Sequence, residues 1–156
     1  MREIYLDNAA TTPMSPKVIN VITDEMKNDF GNASSTYELG RKARNVIDKA
    51  RHQIAESINA KDGEIIFTSG GSESNNTAIF GTAYSRKNSG KKIITTKIEH
   101  PSVLNPMKRL EQEGYNIVYL DVDETGHISL DQLKKELTPD TILVSTMAVN
   151  NEVGSI

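Results

Sequence analysis

The sequence predicts an α/β protein of three layers, in which helices cover both faces of a mainly parallel sheet. Two observations lead to this fold class: short apolar, β-branched runs recur at regular intervals, and helical patterns lie between them. The runs are Ile65–Phe67, Ile93–Thr95, Ile117–Leu120 and Ile142–Ser145, and their starts are 28, 24 and 25 residues apart. Strands that alternate with helices at this spacing form βαβ units with right-handed crossovers.

The N-terminal part, residues 1–62, has a different pattern. It opens with a strand-like segment, Ile4–Asp7, and Ser15 followed by Pro16 then marks the start of a helix. Apolar residues between Val18 and Met26 form one face of that helix. We therefore predict one structural unit overall, made of this N-terminal segment with its helices and of the first βαβ units in residues 63–156.

The remaining helices follow from caps and apolar stripes. Ser35–Glu38 fits a capping box before a long helix that ends between Asn59 and Gly63. In the second part, helical patterns cover Thr77–Ser85, Val103–Leu110 and Leu130–Leu137, the last preceded by Ser129 as its cap.

Composition excludes several classes of protein. The 156 residues include 18 basic and 21 acidic side chains, and the net charge of −3 argues against binding to nucleic acid or an anionic membrane surface. No apolar run reaches the roughly 20 residues of a membrane span, and no signal peptide is predicted. There is no cysteine, so neither disulfides nor thiolate metal sites can form within these residues, and no metal site is predicted. A cytoplasmic location is expected.

A glycine-rich stretch, Ser69–Asn76, is the first candidate site. It joins an apolar run to a helix through Gly70 and Gly71, and free N–H groups at a helix start favour a bound phosphate. Hydroxyl groups of Ser69, Ser72 and Ser74 are further candidate donors. The stretch lacks the fingerprints of dinucleotide and nucleoside-triphosphate loops, so an ordinary glycine-rich turn is the alternative.

Two further polar stretches, Lys97–His100 and Val149–Glu152, follow later strands. Since ligands bind beyond the carboxyl ends of parallel strands, we expect the three stretches to converge. His100 is suited to stacking on a planar cofactor or to proton transfer, and the alternative, which the local sequence alone favours, is a histidine that caps a helix. Asn150 and Asn151 are suited to donating amide hydrogen bonds, or to forming a turn.

Together these stretches resemble the cysteine desulfurase family of pyridoxal-phosphate (PLP) enzymes, in the fold-type I, class V aminotransferase group. The resemblance runs through the whole chain in the family's order. It is carried by five motifs: Tyr5–Pro13, Gly31–Ser35, Phe67–Asn76, Glu99–His100 and Val149–Gly154.

The resemblance implies a role for each matching residue. Gly71 and Ser72 would hold the PLP phosphate, His100 would lie over the pyridine ring and assist proton transfers, and Asn151 would hydrogen-bond the phenolic oxygen of the ring. The substrate side of the pocket would be lined by Asn8, Ala9 and Thr11.

The chain departs from the family at two positions, where Ala33 replaces a proline and Tyr37 replaces a histidine. The family's Schiff-base lysine, the aspartate that pairs with the ring nitrogen, the catalytic cysteine and the substrate-binding arginine all come later than residue 156. The resemblance therefore implies an N-terminal fragment with an incomplete large domain, which we expect to be inactive alone.

The intact enzyme implied by the resemblance converts L-cysteine to L-alanine and passes the sulfur, as a persulfide, to acceptor proteins for iron–sulfur clusters or thio-cofactors. It would be a homodimer. The alternatives are a fragment of another class V enzyme, such as a selenocysteine lyase or an aminotransferase-like relative, and a non-catalytic remnant that acts as an interaction module.

Overall fold

A computed structural model describes residues 4–156, and the chain forms two compact units. The first unit is Met1–Phe67 and the second is Thr68–Ile156. The domain organisation predicted from the sequence, with its boundary after residue 62, stays a prediction.

The first unit contains the two helices that the sequence predicts. Helix α1 is Pro16–Asn28, and the Ser15 hydroxyl accepts a hydrogen bond from the Val18 N–H at 3.4 Å. Helix α2 is Glu38–Ser57. The confirmed cap at Ser15 places proline at the first helical position, where its missing N–H has no helical partner to lose.

The capping box predicted at Ser35–Glu38 is wrong. Helix α2 begins at Glu38, and its N-cap residue, Tyr37, makes no side-chain capping hydrogen bond. Ser35 instead closes a turn, in which its N–H donates to the Asn32 carbonyl at 2.9 Å. Because the N–H of Ser35 is used in this turn, the helix starts later than the capping pattern implies.

The predicted strands at Ile4–Asp7 and Ile65–Phe67 are not strands in the structure. A single 3₁₀ turn, Asp62–Glu64, precedes the second segment, and Ile66 is 73% exposed. Arg51 of α2 holds the segment: its guanidinium donates to the Ile65 carbonyl and lies 4.8 Å from the centre of the Phe67 ring. A strand needs a partner backbone, and residues 4–156 provide none for either segment.

The second unit is built on a parallel sheet of three strands. Strands β1 (Lys92–Thr96), β2 (Asn116–Leu120) and β3 (Thr141–Val144) lie in the order β2-β1-β3. Strand β1 is therefore central, and both of its pairings are parallel. The three later strands of the sequence prediction, and the parallel sheet, are confirmed.

Three helices accompany this sheet: α3 (Gly71–Ser85), α4 (Pro101–Gln112) and α5 (Leu130–Glu136). Helix α3 begins at the glycine-rich stretch, as the predicted turn through Gly70 and Gly71 into a helix start requires, and six residues before the helical pattern at Thr77–Ser85. Ser129 caps α5 as predicted, because its hydroxyl accepts from the Gln132 N–H at 3.2 Å.

The main core lies between α3, α4 and the sheet. Its buried members are Ile79, Ala83, Ile93, Val103, Met107, Leu110 and Tyr115. Because β2 and β3 flank β1 on opposite sides, right-handed crossovers put α4 and α5 on opposite faces of the sheet. This arrangement agrees with the predicted three layers. The start of α3 lies beside that of α4.

Candidate functional site

The N-terminus of α3 has free hydrogen-bond donors. Among residues 4–156, no group accepts a hydrogen bond from the N–H of Gly71, Ser72 or Glu73. A Cβ atom built on Gly70 or Gly71 would meet nothing within 4 Å, so the space beside this backbone is open. Free N–H groups and open space at the positive end of a helix of 15 residues suit an anion.

The structure distinguishes the three serines that the sequence offered as donors. Both donors of Ser69, its N–H and its hydroxyl, are used by Glu73 Oε2 at 2.7 Å. The Ser74 hydroxyl lies 2.7 Å from the Thr68 hydroxyl and 3.3 Å from the Gly70 carbonyl. No described residue hydrogen-bonds to the Ser72 hydroxyl, so Ser72 is the serine available to a ligand.

Glu73 adds a fixed negative charge at the same helix end. Hydrogen bonds from the Ser69 backbone and hydroxyl hold the pKa of this carboxyl below its usual range. The carboxylate is therefore ionised at neutral pH and keeps Ser69 in place. This contact also removes Ser69 from the set of candidate phosphate donors.

His100 lies at the start of α4, beside the start of α3. Asn75 Nδ2 of α3 donates to the Ser102 hydroxyl of α4 at 2.9 Å, and Asn76 Nδ2 donates to the Ser102 carbonyl at 3.3 Å. Ser72 and His100 both contribute to a pocket of about 460 Å³. The lining of this pocket is completed by Asn76, Phe80, Pro101, Ser102, Asn105, Pro106 and Arg109.

Two side chains join the loop after β1 to the loop after β3. Glu99 is only 6% exposed, and its Oε1 accepts from the Thr96 hydroxyl at 3.0 Å and from the Met147 N–H at 2.8 Å. Asn150 Nδ2 donates to the Ile98 carbonyl at 3.0 Å. The second and third polar stretches therefore converge, as the sequence predicts for the ends of neighbouring parallel strands.

The sequence did not predict that Glu99 and Asn150 would join the loop after β1 to the loop after β3. Asn150 Oδ1 accepts from the N–H groups of Glu152 and Val153, and the residue is buried, so it organises the loop that carries Asn151. The available signal was weak: an acidic residue directly before His100, and an asparagine beside the one considered as a ligand contact.

Within the second unit, neither Gly71 nor Asn151 lines the pocket of Ser72 and His100. Asn151 is exposed, and its Nδ2 donates to Glu152 Oε1 at 3.0 Å. Asn8, Ala9 and Thr11 belong to the first unit, where the Thr11 hydroxyl lies 2.7 Å from the Tyr5 hydroxyl. The roles of these four residues, like that of Gly71, stay predictions.

The other two histidines, His52 and His127, are exposed. His52 Nδ1 lies 3.0 Å from Asp62 Oδ1, and this hydrogen bond raises the pKa of the histidine. His127 Nδ1 lies 2.7 Å from the Thr125 hydroxyl in a surface turn. Between residues 4 and 156 no three His, Asp or Glu side chains cluster as metal ligands do, and no helix there is long and apolar enough to cross a membrane.

Comparison with known proteins agrees with this fold. The family described as aminotransferase class-V matches residues 4–156. A relative from Bacillus subtilis, named putative cysteine desulfurase IscS 1, is 51% identical over 156 residues, which are the whole of this chain and 41% of the relative.

Solved structures give the same result. A protein described as NifS-like has a TM-score of 0.95 at 37% identity, over 99% of this chain and 43% of its own. A structure titled SspA in complex with cysteine has a TM-score of 0.88 at 39% identity, over 95% of this chain and 43% of its own.

The chain thus spans about two fifths of the length of these relatives and corresponds to their N-terminal part. The match covers every residue that the structure describes, and it includes both the sheet and the start of α3. The chain belongs to the class-V aminotransferase family, and its relatives there are cysteine desulfurases.

Proposed function

We propose that this chain forms part of a PLP-dependent cysteine desulfurase, in which it holds the cofactor phosphate and supplies His100. The observation that carries the proposal is the shared pocket of Ser72 and His100, in which a serine with a free hydroxyl at a helix N-terminus and a histidine line the same cavity. The names of the relatives, which are cysteine desulfurases, support the choice of reaction.

The donors at the start of α3 fit a phosphate group. Gly71 and Ser72 have free N–H groups beside open space, and the Ser72 hydroxyl is free as well. His100 would lie against the pyridine ring and assist proton transfers, and Asn151 would bind the phenolic oxygen of the ring. Bound PLP supplies an electron sink for the substrate's α-carbon, which is chemistry that protein side chains lack.

The substrate proposed is L-cysteine, and Asn8, Ala9 and Thr11 are proposed to line its side of the pocket. The cysteine complex of a similar structure supports this choice. The products would be L-alanine and a persulfide sulfur, passed to acceptor proteins for iron–sulfur cluster assembly by a cytoplasmic homodimer. The 156 residues contain no cysteine, so the thiolate that receives the sulfur would come from residues outside them.

A chimaera tests the proposal directly. These 156 residues would replace the matching 156 residues of the Bacillus subtilis relative, with the unmodified relative as positive control. We expect the chimaera to bind PLP and to release alanine and sulfide from L-cysteine in the presence of a reductant. A folded chimaera that binds PLP but forms no alanine would contradict the desulfurase assignment, and one that fails to bind PLP would contradict the cofactor assignment.

Two serine substitutions in the chimaera test the phosphate contact. Ser72→Ala should weaken PLP binding by about tenfold or more, because a hydrogen bond to a charged group contributes about 1.5–3 kcal/mol. Ser74→Ala is the matched control, since its hydroxyl is already used within the protein, and PLP affinity should change little. Equal losses in the two variants would refute the assignment to Ser72.

The 156-residue chain by itself should form no alanine from L-cysteine and PLP.

A further inference from the structure

His100 is the N-cap residue of α4, and this position constrains its ring. Its backbone is extended, with φ −60° and ψ 148°, and its side chain turns back toward the first turn of the helix. Nδ1 accepts a hydrogen bond from the backbone N–H of Ser102 at 3.0 Å. A backbone N–H can only donate, so Nδ1 must carry a lone pair.

This contact determines the tautomer of the neutral ring. A neutral imidazole has one N–H and one acceptor nitrogen, and the hydrogen bond to one nitrogen decides which nitrogen holds the proton. With Nδ1 as the acceptor, the proton of His100 is on Nε2. No residue between 4 and 156 hydrogen-bonds to Nε2, and His100 lines the pocket that it shares with Ser72.

A second hydrogen bond holds the capping residue in place. Asn75 Nδ2, on α3, donates to the Ser102 hydroxyl at 2.9 Å, and that hydroxyl lies 2.8 Å from His100 Nδ1. With Asn75 donating to its oxygen, the Ser102 hydroxyl is free to donate its own proton toward Nδ1. Both contacts from Ser102 therefore favour the same tautomer.

We propose that Ser102 is a positioning residue that fixes His100 as the Nε2–H tautomer, so that neutral His100 offers its ligand a hydrogen-bond donor instead of a base. The catalytic part of this inference rests on the proposed function. Nε2 then donates to an electron-rich atom of the bound molecule, such as a carboxylate oxygen or a thiolate sulfur.

The tautomer can be measured without cofactor or substrate. The chain has three histidines, and ¹⁵N-histidine labelling with two-bond ¹H–¹⁵N correlation at about pH 9, above the usual histidine pKa of about 6.5, shows which nitrogen is protonated. His100→Gln assigns the His100 signals. We expect His100 to be protonated on Nε2.

His52 is an internal reference for which the opposite tautomer is expected. Its Nδ1 lies 3.0 Å from a carboxylate oxygen of Asp62, which can only accept, so neutral His52 should carry its proton on Nδ1. A His100 proton on Nδ1, or a mixture of both forms, would overturn the proposal. Asn75→Ala should preserve the Nε2–H form but shift the Nδ1 resonance, and an unchanged Nδ1 resonance would remove Asn75 from the network.

Substitution in the active chimaera separates a donor from a base. His100→Gln keeps an N–H donor, whereas His100→Leu has none, and neither can act as a base. The proposal predicts that kcat/KM of His100→Gln exceeds that of His100→Leu by about tenfold or more, as expected for a hydrogen bond to a charged group. Equal losses in an active chimaera overturn the donor role. An inactive chimaera refutes the proposed function instead, while the tautomer measured in the chain alone is unaffected.

Discussion

The two compact units differ in how their helices are covered. Helix α1 of the first unit has no buried residue, and α2 buries only Gly40, Ala43 and Ala55. In the second unit, α4 alone buries Val103, Pro106, Met107 and Leu110, and the sheet adds fully buried isoleucines.

The difference shows what an amphipathic pattern predicts and what it leaves open. The apolar stripe of α1 is as regular as that of α4, and both segments are helical. Within residues 4–156, however, the stripe of α1 stays exposed, at Val18, Ile19, Val21, Ile22 and Met26. Periodicity therefore predicts the helix, whereas burial, at about 25 cal/mol per Å² of apolar surface, depends on what packs against it.

The largest expected difference is between two methionines, one on α4 and one on α1. Met107 on α4 is fully buried, and Met26 on α1 is 75% exposed. Met107→Ala should lower the free energy of unfolding by about 2–5 kcal/mol, through lost burial and a cavity. Met26→Ala should change it by no more than about 0.5 kcal/mol. Urea unfolding followed by far-UV circular dichroism measures both, and a comparable loss for Met26→Ala would show that the α1 stripe is buried in solution.

Alanine substitutions at two glycines inside helices should have smaller effects on stability, and the two effects should be opposite in sign. A Cβ on Gly40 of α2 would lie 2.6 Å from the carbonyl oxygens of Asn32 and Ser35, so Gly40→Ala should destabilise the first unit by about 1–3 kcal/mol. A Cβ on Gly81 of α3 meets nothing within 4 Å, and Gly81→Ala should stabilise the second unit by about 0.5–1 kcal/mol. Thermal unfolding of the two variants should move in opposite directions. A stabilising Gly40→Ala would show that the first unit lacks this close contact.

The smallest effects concern pH, and they also differ between the units. The hydrogen bond to Asp62 raises the pKa of His52, so this contact stabilises the first unit fully below about pH 6.5 and is lost as pH rises through the folded-state pKa. Hydrogen bonds from the Thr125 hydroxyl and from the His127 and Thr125 N–H groups lower the pKa of Asp123 to about 2. Its contribution to the second unit is therefore present above about pH 3.9 and is lost as pH falls through that value of about 2.

Titration by NMR checks both directions. Asp62→Asn should return the His52 pKa toward its ordinary value, and Thr125→Val should raise the Asp123 pKa. If either pKa is unchanged by its substitution, the hydrogen bond named here is not the cause of the shift.

Sequence reasoning succeeded where structure depends on neighbouring residues. Strands β1 to β3 and the helices were predicted because their β-branched runs and apolar stripes are local signals. It failed at Ile4–Asp7 and Ile65–Phe67, because a strand also needs a partner backbone, and sequence alone does not say whether one is present. The helical pattern of α3 is recognisable only from Thr77, because the polar run after Gly71 has a low helix propensity that the fold overrides.

In the candidate site, too, the features with a local sequence pattern were predictable, and those that depend on tertiary contacts were not. The glycine-rich turn and His100 are recognisable from sequence, and the structure places Ser72 and His100 in one pocket. The selection of Ser72 from three serines depended on where each hydroxyl finds a partner. The contact of Glu99 with Met147 spans 48 residues, and that of Asn150 with Ile98 spans 52, so neither leaves a local pattern.

The central position of β1 has a consequence for the order of assembly. Ile93 of β1 pairs with Ile117 of β2, 24 residues on, and with Leu143 of β3, 50 residues on. Closing the longer loop costs about 0.6 kcal/mol more for each doubling of length, and the chain emerges from the ribosome in sequence order. We therefore expect β1, α4 and β2 to associate first, and β3 to join after them. The Glu99–Met147 contact can form only once β3 has joined, so the loop that carries His100 gains this anchor at that step.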